Sequence, residues 1–282
     1  MGGTRVKHIV GIDWLSSQLT DSNVRIIDCR FQLGNPTYGL TEYIEEHIIG
    51  ALYFDLEKDL SGQVQTHGGR HPLPQLEEFV DKLSHAGIDH SKTVVAYDDQ
   101  GGAFASRLWW LLKFLGHEEV YVLDGGFSAW KEQNFPVTNE IPAIERAVFN
   151  PIVNRNMLVE VSDVKEAIKQ DSATIIDSRE QVRFLGIEEP IDKVAGHIPS
   201  AVNAFWKDGI EANGHWKNES DQKERFSQVV NVDKDIIVYC GSGVTACPNI
   251  LSLSEAGYNN VKLYSGSWSD WITYDDNPIA KG

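Results

Sequence analysis

The 282-residue sequence predicts an α/β fold built twice: two tandem domains, each a parallel sheet flanked by helices. The first observation behind this is internal repetition. VRIIDCRF at residues 24–31 returns as ATIIDSRE at 173–180, and EEHIIGALYFD at 45–55 returns as AGHIPSAVNAF at 195–205. TVVAYDDQGG at 93–102 returns as DIIVYCGSGV at 235–244, and VYVLDGGFSAW at 120–130 returns as VKLYSGSWSDW at 261–271. Blocks that recur in one order, at a spacing far beyond any solenoid period, mean a duplicated domain rather than an array. The second observation is alternation, since short apolar runs are separated by longer stretches of helical pattern, which implies crossover helices on a parallel sheet.

Each copy reads in the same order. VRIID is a strand ending in Asp28, followed by a charged loop and a His-Ile turn into a second short strand. LEEFVDKLSHAGI has helical spacing, TVVAY is a strand, SRLWWLLKFLGH is a helix, and VYVL is a strand. In the second copy the helices are VSDVKEAIKQ and NILSLSEAGY. Between the copies, Pro136, Pro142 and Pro151 interrupt a stretch without a clear period. The first domain is therefore placed at residues 1–135, the linker at 136–156 and the second domain at 157–282.

Bulk composition narrows the function. With 41% hydrophobic and 23% charged residues the chain is globular, and 25 basic against 41 acidic residues leave a net charge of −16. That balance argues against nucleic acid and anionic membranes as partners, because both need clustered Lys and Arg. No run approaches the ~20 apolar residues of a membrane span, and MGGTRVKHIVGIDWL lacks the apolar stretch of a signal peptide, so cytoplasm is the expected location. Cys29, Cys240 and Cys247 show no framework spacing and are expected as thiols, Cys29 and Cys247 in the core.

Chemistry concentrates where the strand IIVY ends in Cys240 and Gly241-Ser242-Gly243-Val244-Thr245 follows. The carboxyl edge of a parallel sheet is where loops lead into helix N-termini with free N–H groups. The duplication supplies a control: Tyr97-Asp98-Asp99-Gln100-Gly101 stands where the second copy has Tyr239-Cys240-Gly241-Ser242-Gly243. An acid opposite the cysteine predicts that both positions face water and that chemistry belongs to the second copy. Four readings compete. G-x-G-x-x-A after a strand fits a dinucleotide loop, but no acidic residue ends the next strand to hold a ribose. A cysteine phosphatase needs an arginine where Ala246 stands. A structural cysteine does not explain two glycines that turn successive N–H groups inward. The fourth reading makes Cys240 itself the anion, a thiolate or persulfide stabilised by loop N–H groups.

IIDSR, GHIP, CGSGVTAC and SGSW, with their duplicated first half, resemble the tandem rhodanese family of sulfurtransferases over nearly the whole chain. CGSGVT is similar to the 3-mercaptopyruvate branch, whereas the thiosulfate branch carries bulkier basic residues in that loop. The resemblance implies an inactive first domain, a catalytic second one, an active site in the cleft between them, and no cofactor. It also implies that Cys240 takes the outer sulfur of a small-molecule donor and passes it to cyanide, a small thiol or a protein thiol such as thioredoxin. A thiosulfate:cyanide enzyme and a non-enzymatic sulfur carrier are the alternatives. The N–H groups of Gly241, Gly243, Val244 and Thr245 would cradle the sulfur, and Ser242 would handle the proton of a thiol donor.

By the same resemblance Arg183 binds the donor's anionic group, with Arg179 beside it or paired structurally to Asp177. The mercaptopyruvate branch usually places a second arginine shortly before the His-Ile turn. Glu189-Pro190-Ile191-Asp192-Lys193 stands here instead, leaving Lys193 as a point charge without a guanidinium fork. His47 and His197 occupy equivalent turns, and His47 is retained as a proton-handling candidate. Trp268 is expected to pack at the sheet edge or to wall the pocket. No metal is expected, since the glycines in His67-Gly68-Gly69-Arg70-His71 deny that segment a helical ligand pair.

Overall fold

The apolar runs of the two copies become two five-stranded parallel sheets of identical strand order in the computed structural model, which describes residues 8–282. The first copy holds β1 (Ile9–Val10), α1 (Ile12–Ser17), β2 (Val24–Asp28), α2 (Tyr38–Glu45), β3 (His47–Ile48), β4 (Ala51–Tyr53) and α3 (Leu76–His85). It continues through β5 (Thr93–Tyr97), α4 (Ala105–Phe114), β6 (Val120–Leu123), α5 (Gly126–Glu132) and β7 (Val137–Thr138). The second holds β8 (Leu158–Val159), α6 (Val161–Gln170), β9 (Ala173–Asp177), α7 (Gln181–Phe184), β10 (Val202–Asn203) and α8 (Glu219–Ser227). It ends with β11 (Asp235–Tyr239), α9 (Ala246–Ala256), β12 (Val261–Tyr264) and α10 (Ser267–Trp271).

The sheets run β1-β6-β5-β2-β4 and, in the equivalent direction, β8-β12-β11-β9-β10. Central strands β5 and β11 are buried at every position but the first, which is why their sequences are continuous in apolarity instead of alternating. Amphipathic helices such as α3 cover the sheets with one face, burying Phe79 and Leu83. The cores match position by position: Tyr97, Phe127 and Trp130 in one cluster correspond to Tyr239, Trp268 and Trp271 in the other. Trp268 is fully buried there and its indole N–H donates to the Val194 carbonyl at 2.8 Å, so it packs the core as expected.

Division into compact units follows the repeat with two exceptions. Unit 1 runs to Leu60, resumes over Leu76–Val153 and takes in Ala212–Trp216, while unit 2 is Ser61–Gln75, Asn154–Glu211 and Lys217–Gly282. The break at residues 153 and 154 lies within the segment read as the linker. The exchange of 61–75 into unit 2 has no counterpart in the repeat analysis, because apolar periodicity reports local structure and not which sheet a loop joins. No helix among the described residues is long and apolar enough to cross a membrane.

Candidate active site

Strand β11 delivers Cys240 to the carboxyl edge of its sheet, and Tyr239 pairs in register with Asp177 at the end of β9. The loops after these two strands are therefore neighbours. Cys240 is held by its backbone: its N–H donates to the Ser267 hydroxyl at 3.1 Å and its carbonyl accepts from Trp268 N–H at 3.0 Å. The next carbonyl, of Gly241, accepts from Ser269 N–H at 2.9 Å, and the Gly243 N–H turns back onto the Cys240 sulfur at 3.1 Å. Gly243 adopts φ +79°, and a Cβ on it would lie 2.1 Å from the Ser265 carbonyl oxygen, so only glycine closes this turn. Ser267 takes a similar left-handed conformation, φ +57°, where the first copy has Gly126 at φ +60°. A residue with a side chain is strained there by about 1–2 kcal/mol, and what the position gains is the hydroxyl that fastens Cys240.

The expectation that positions 98 and 240 face water is corrected. Both are 1% exposed. Asp98 accepts N–H groups from Gln100 and Gly102 on one carboxylate oxygen and from Phe104 and Ala105 on the other, at 2.8 to 2.9 Å. Burial pushes its carboxyl above the usual range while these four bonds pull it back. Polarity at this position signalled an anion, but the loop's own amides solvate it in place of water. One copy closes around a carboxylate and the other around a sulfur.

Beside the loop lie two arginines. A Cβ on Gly241 would meet Nη2 of Arg70 at 3.0 Å and Nη2 of Arg183 at 3.5 Å, so both guanidinium groups lie against the loop at this position and a side chain there would crowd that of Arg70. Arg183 projects from α7, with its Nε and Nη2 on the Glu189 carboxylate at 2.7 to 3.1 Å and Nη2 also 3.1 Å from Asp192. Arg70 comes from the 61–75 segment and pairs with the other oxygen of Asp192. Burial pushes the Glu189 carboxyl up, but Arg183 and the N–H groups of Asp192 and Ile191 bring it below its ordinary value. Arg179 is buried against Asp177 and the Gly196 carbonyl, each at 2.6 Å, as Arg30 is against Asp28 and the Glu46 carbonyl in the first copy. Its remaining contact, Nη1 to Glu189 at 3.2 Å, reaches Arg183 only through that acid.

The 61–75 segment brings a second group. His71 Nδ1 is 2.8 Å from the Ser242 hydroxyl, and both residues are buried. The segment is pinned by Gly68 N–H to Asp270 at 2.7 Å and Arg70 N–H to the Ser269 hydroxyl at 3.1 Å. Val244 is buried, while Thr245 is half-buried at the start of α9 and its hydroxyl makes no capping bond. His47 belongs to unit 1, and its ring nitrogens face the Tyr43 carbonyl at 2.6 Å and the Glu140 carbonyl at 3.2 Å. His197 repeats that arrangement on the Phe184 carbonyl at 2.7 Å, so both histidines fasten a shared turn. Cys29 and Cys247 are buried free thiols; burial, aided by Asp28, pushes Cys29 well above the ordinary thiol range. Cys247 donates to the Gly243 carbonyl at 3.4 Å.

Sequence reasoning missed Arg70, His71 and Asp192. Between β4 and α3 the chain has no regular element, yet Gly68-Gly69-Arg70-His71 lies in it, and a long loop of that kind in a packed domain is usually functional.

The model of the rhodanese-like domain matches residues 11–133 and 160–274. A probable 3-mercaptopyruvate sulfurtransferase of Pseudomonas aeruginosa is 42% identical over 273 residues, which cover 95% of this chain and 96% of the relative. The thiosulfate sulfurtransferase of Rattus norvegicus is 32% identical over 276 residues, covering 94% and 91%. Among solved structures, the 3-mercaptopyruvate sulfurtransferase of Leishmania major superposes with a TM-score of 0.86 at 30% identity, covering 97% of this chain and 76% of that one.

Proposed function

The chain belongs to the rhodanese family, and from that premise we infer that it is a sulfurtransferase which moves a sulfur atom from 3-mercaptopyruvate through a persulfide on Cys240. The observation that carries the reading is the Cys240 sulfur under the Gly243 N–H with Arg70 and Arg183 beside the adjoining glycine. A nucleophile, a donor of hydrogen bonds to its charge, and two cations for a carboxylate then share one loop. Arg70, from a different part of the chain, stands beside Arg183 at Gly241, and this supports mercaptopyruvate as the donor although the usual second arginine before the His-Ile turn is replaced here.

In the first half-reaction the Cys240 thiolate attacks the donor sulfur. A sulfur–sulfur bond forms, the carbon–sulfur bond breaks, and its electron pair leaves as the enolate of pyruvate. The donor thiol's proton moves to the enolate carbon, and Ser242, held by His71, is the group assigned to that transfer. In the second half, cyanide or a small or protein thiol takes the outer sulfur and restores the thiolate. Net oxidation is zero, so the cycle needs no cofactor, and three free cysteines suit the reducing cytoplasm in which we place it.

Thiosulfate as donor is the second reading, favoured by the same pair of guanidinium groups, which fit a sulfonate as well as a carboxylate. Transfer from each donor to cyanide and to a dithiol, with Cys240→Ser as control, tests both. Mercaptopyruvate is expected to be preferred and the control inactive. Preference for thiosulfate would replace the donor, and activity surviving in Cys240→Ser would overturn the mechanism.

A further inference from the structure

Asp192 stands where the anionic group of a donor is expected. Its two carboxylate oxygens are divided between the two arginines beside Gly241, one on Nη1 of Arg70 and the other on Nη2 of Arg183. Its side chain is 4% exposed, whereas those of Arg70 and Arg183 are 33% and 12% exposed, so the carboxylate lies beneath cations that reach solvent. Glu189 plays a different part. It grips Nε and Nη2 of Arg183, meets Arg179, and accepts the N–H groups of Ile191 and Asp192, which makes it the scaffold of its own loop. Aligning Arg183 therefore does not require Asp192 as well.

The charges of the cluster cancel. Arg70, Arg179 and Arg183 are met by Asp177, Glu189 and Asp192, and the last is the one acid that bridges the two donor-side arginines. We propose that Asp192 is an internal competitor which occupies the Arg70–Arg183 pair as a donor's own anionic group would, and thereby selects a monoanionic carboxylate donor over a dianionic one. The inference rests on the donor-binding role given above to Arg70 and Arg183. With Asp192 ionised the cluster is neutral, so a donor carboxylate meets no net attraction and gains an arginine only by displacing Asp192 from it. With Asp192 neutralised the cluster carries one net positive charge, and Coulomb attraction scales with the product of charges. Thiosulfate, a dianion, then gains about twice the interaction that mercaptopyruvate gains, so its fold-improvement approaches the square of the other.

The test is kcat/KM for thiosulfate and for 3-mercaptopyruvate, with cyanide as acceptor at one ionic strength, in the wild type and in Asp192→Asn, Asp192→Ala and Asp192→Glu. The Asn and Ala variants are expected to raise the thiosulfate-to-mercaptopyruvate ratio by about fivefold or more and to bind pyruvate, as a competitive inhibitor, more tightly. Asp192→Glu, which keeps the charge, is expected to hold the ratio within about twofold. Loss of a carboxylate that holds the arginines in place misaligns them and weakens anion binding, whereas loss of one that occupies them strengthens it, so the direction of the change separates the two cases. An unchanged or lowered ratio in Asn and Ala, or the same gain in Glu, overturns the proposal. Absence of transfer from both donors in the wild type would instead overturn the sulfurtransferase reading, so the two failures are distinct.

Discussion

Replacing Asp98 with alanine removes the acceptor of four backbone N–H groups, two on each carboxylate oxygen, in a loop that is otherwise intact. Each buried donor left without a partner costs about 1–3 kcal/mol. Part of that is offset because a charge no longer has to be buried, and part by relaxation of the loop, so the net loss is about 3–5 kcal/mol, well under the sum for four unpaired donors. For a unit of this size that lowers its melting temperature by roughly 10 °C. Calorimetry on the full chain reads the shift. Formate, a carboxylate small enough for the vacated space, is expected to recover a large part of it in a concentration-dependent way, because a ligand that binds only the folded state stabilises by mass action. A loss under about 1 kcal/mol, or one that formate leaves untouched, would refute the reasoning that these loops are anion cradles, and with it the main physical argument for a stabilised sulfur anion on Cys240.

Ser242→Ala and His71→Asn should each lower kcat/KM for mercaptopyruvate by about 100-fold, with the double variant no worse than either, since the two act through one hydrogen bond; additive losses would separate them. Gly243→Ala places a methyl 2.1 Å from the Ser265 carbonyl oxygen at φ +79°, and should abolish sulfur transfer while costing about 2 kcal/mol or more in the stability of unit 2 by urea unfolding; near-normal turnover would show that the loop adapts. Glu189 has a folded pKa below its ordinary 4.5, so its stabilising contribution is complete above that pH and is lost as pH falls through the lowered value. The wild type should therefore exceed Glu189→Gln in stability above about pH 4.5, and the gap should close below it; a gap independent of pH would count against the ion pair.

Much of this protein is readable in its sequence because the relevant signals are contiguous. Continuous apolarity in TVVAY and DIIVY, each between helical patterns, determines two buried parallel strands, and their recurrence in order determines two sheets of the same topology. Cys240, the loop glycines and the helix that follows are consecutive, so strand, turn and N-terminus had to bring the thiol to the sheet edge. Asp177 and Arg179 paired as expected because they are two residues apart on one strand end. Other features depended on chain segments far apart in sequence. Arg70 and His71 lie in the first copy by number, yet meet Gly241 and Ser242, because residues 61–75 fold into unit 2 through bonds to Ser269 and Asp270 that no local pattern encodes. The burial of Asp98 and Cys240 is not legible in the sequence for a related reason: polarity is a property of the residue, whereas solvation by loop amides is a property of the closed loop. Residue chemistry and local periodicity thus determined the fold and the place of the candidate nucleophile at the sheet edge, and tertiary structure alone decided which cations, histidine and carboxylate surround it, since those contacts exist only once distant backbone segments are held together.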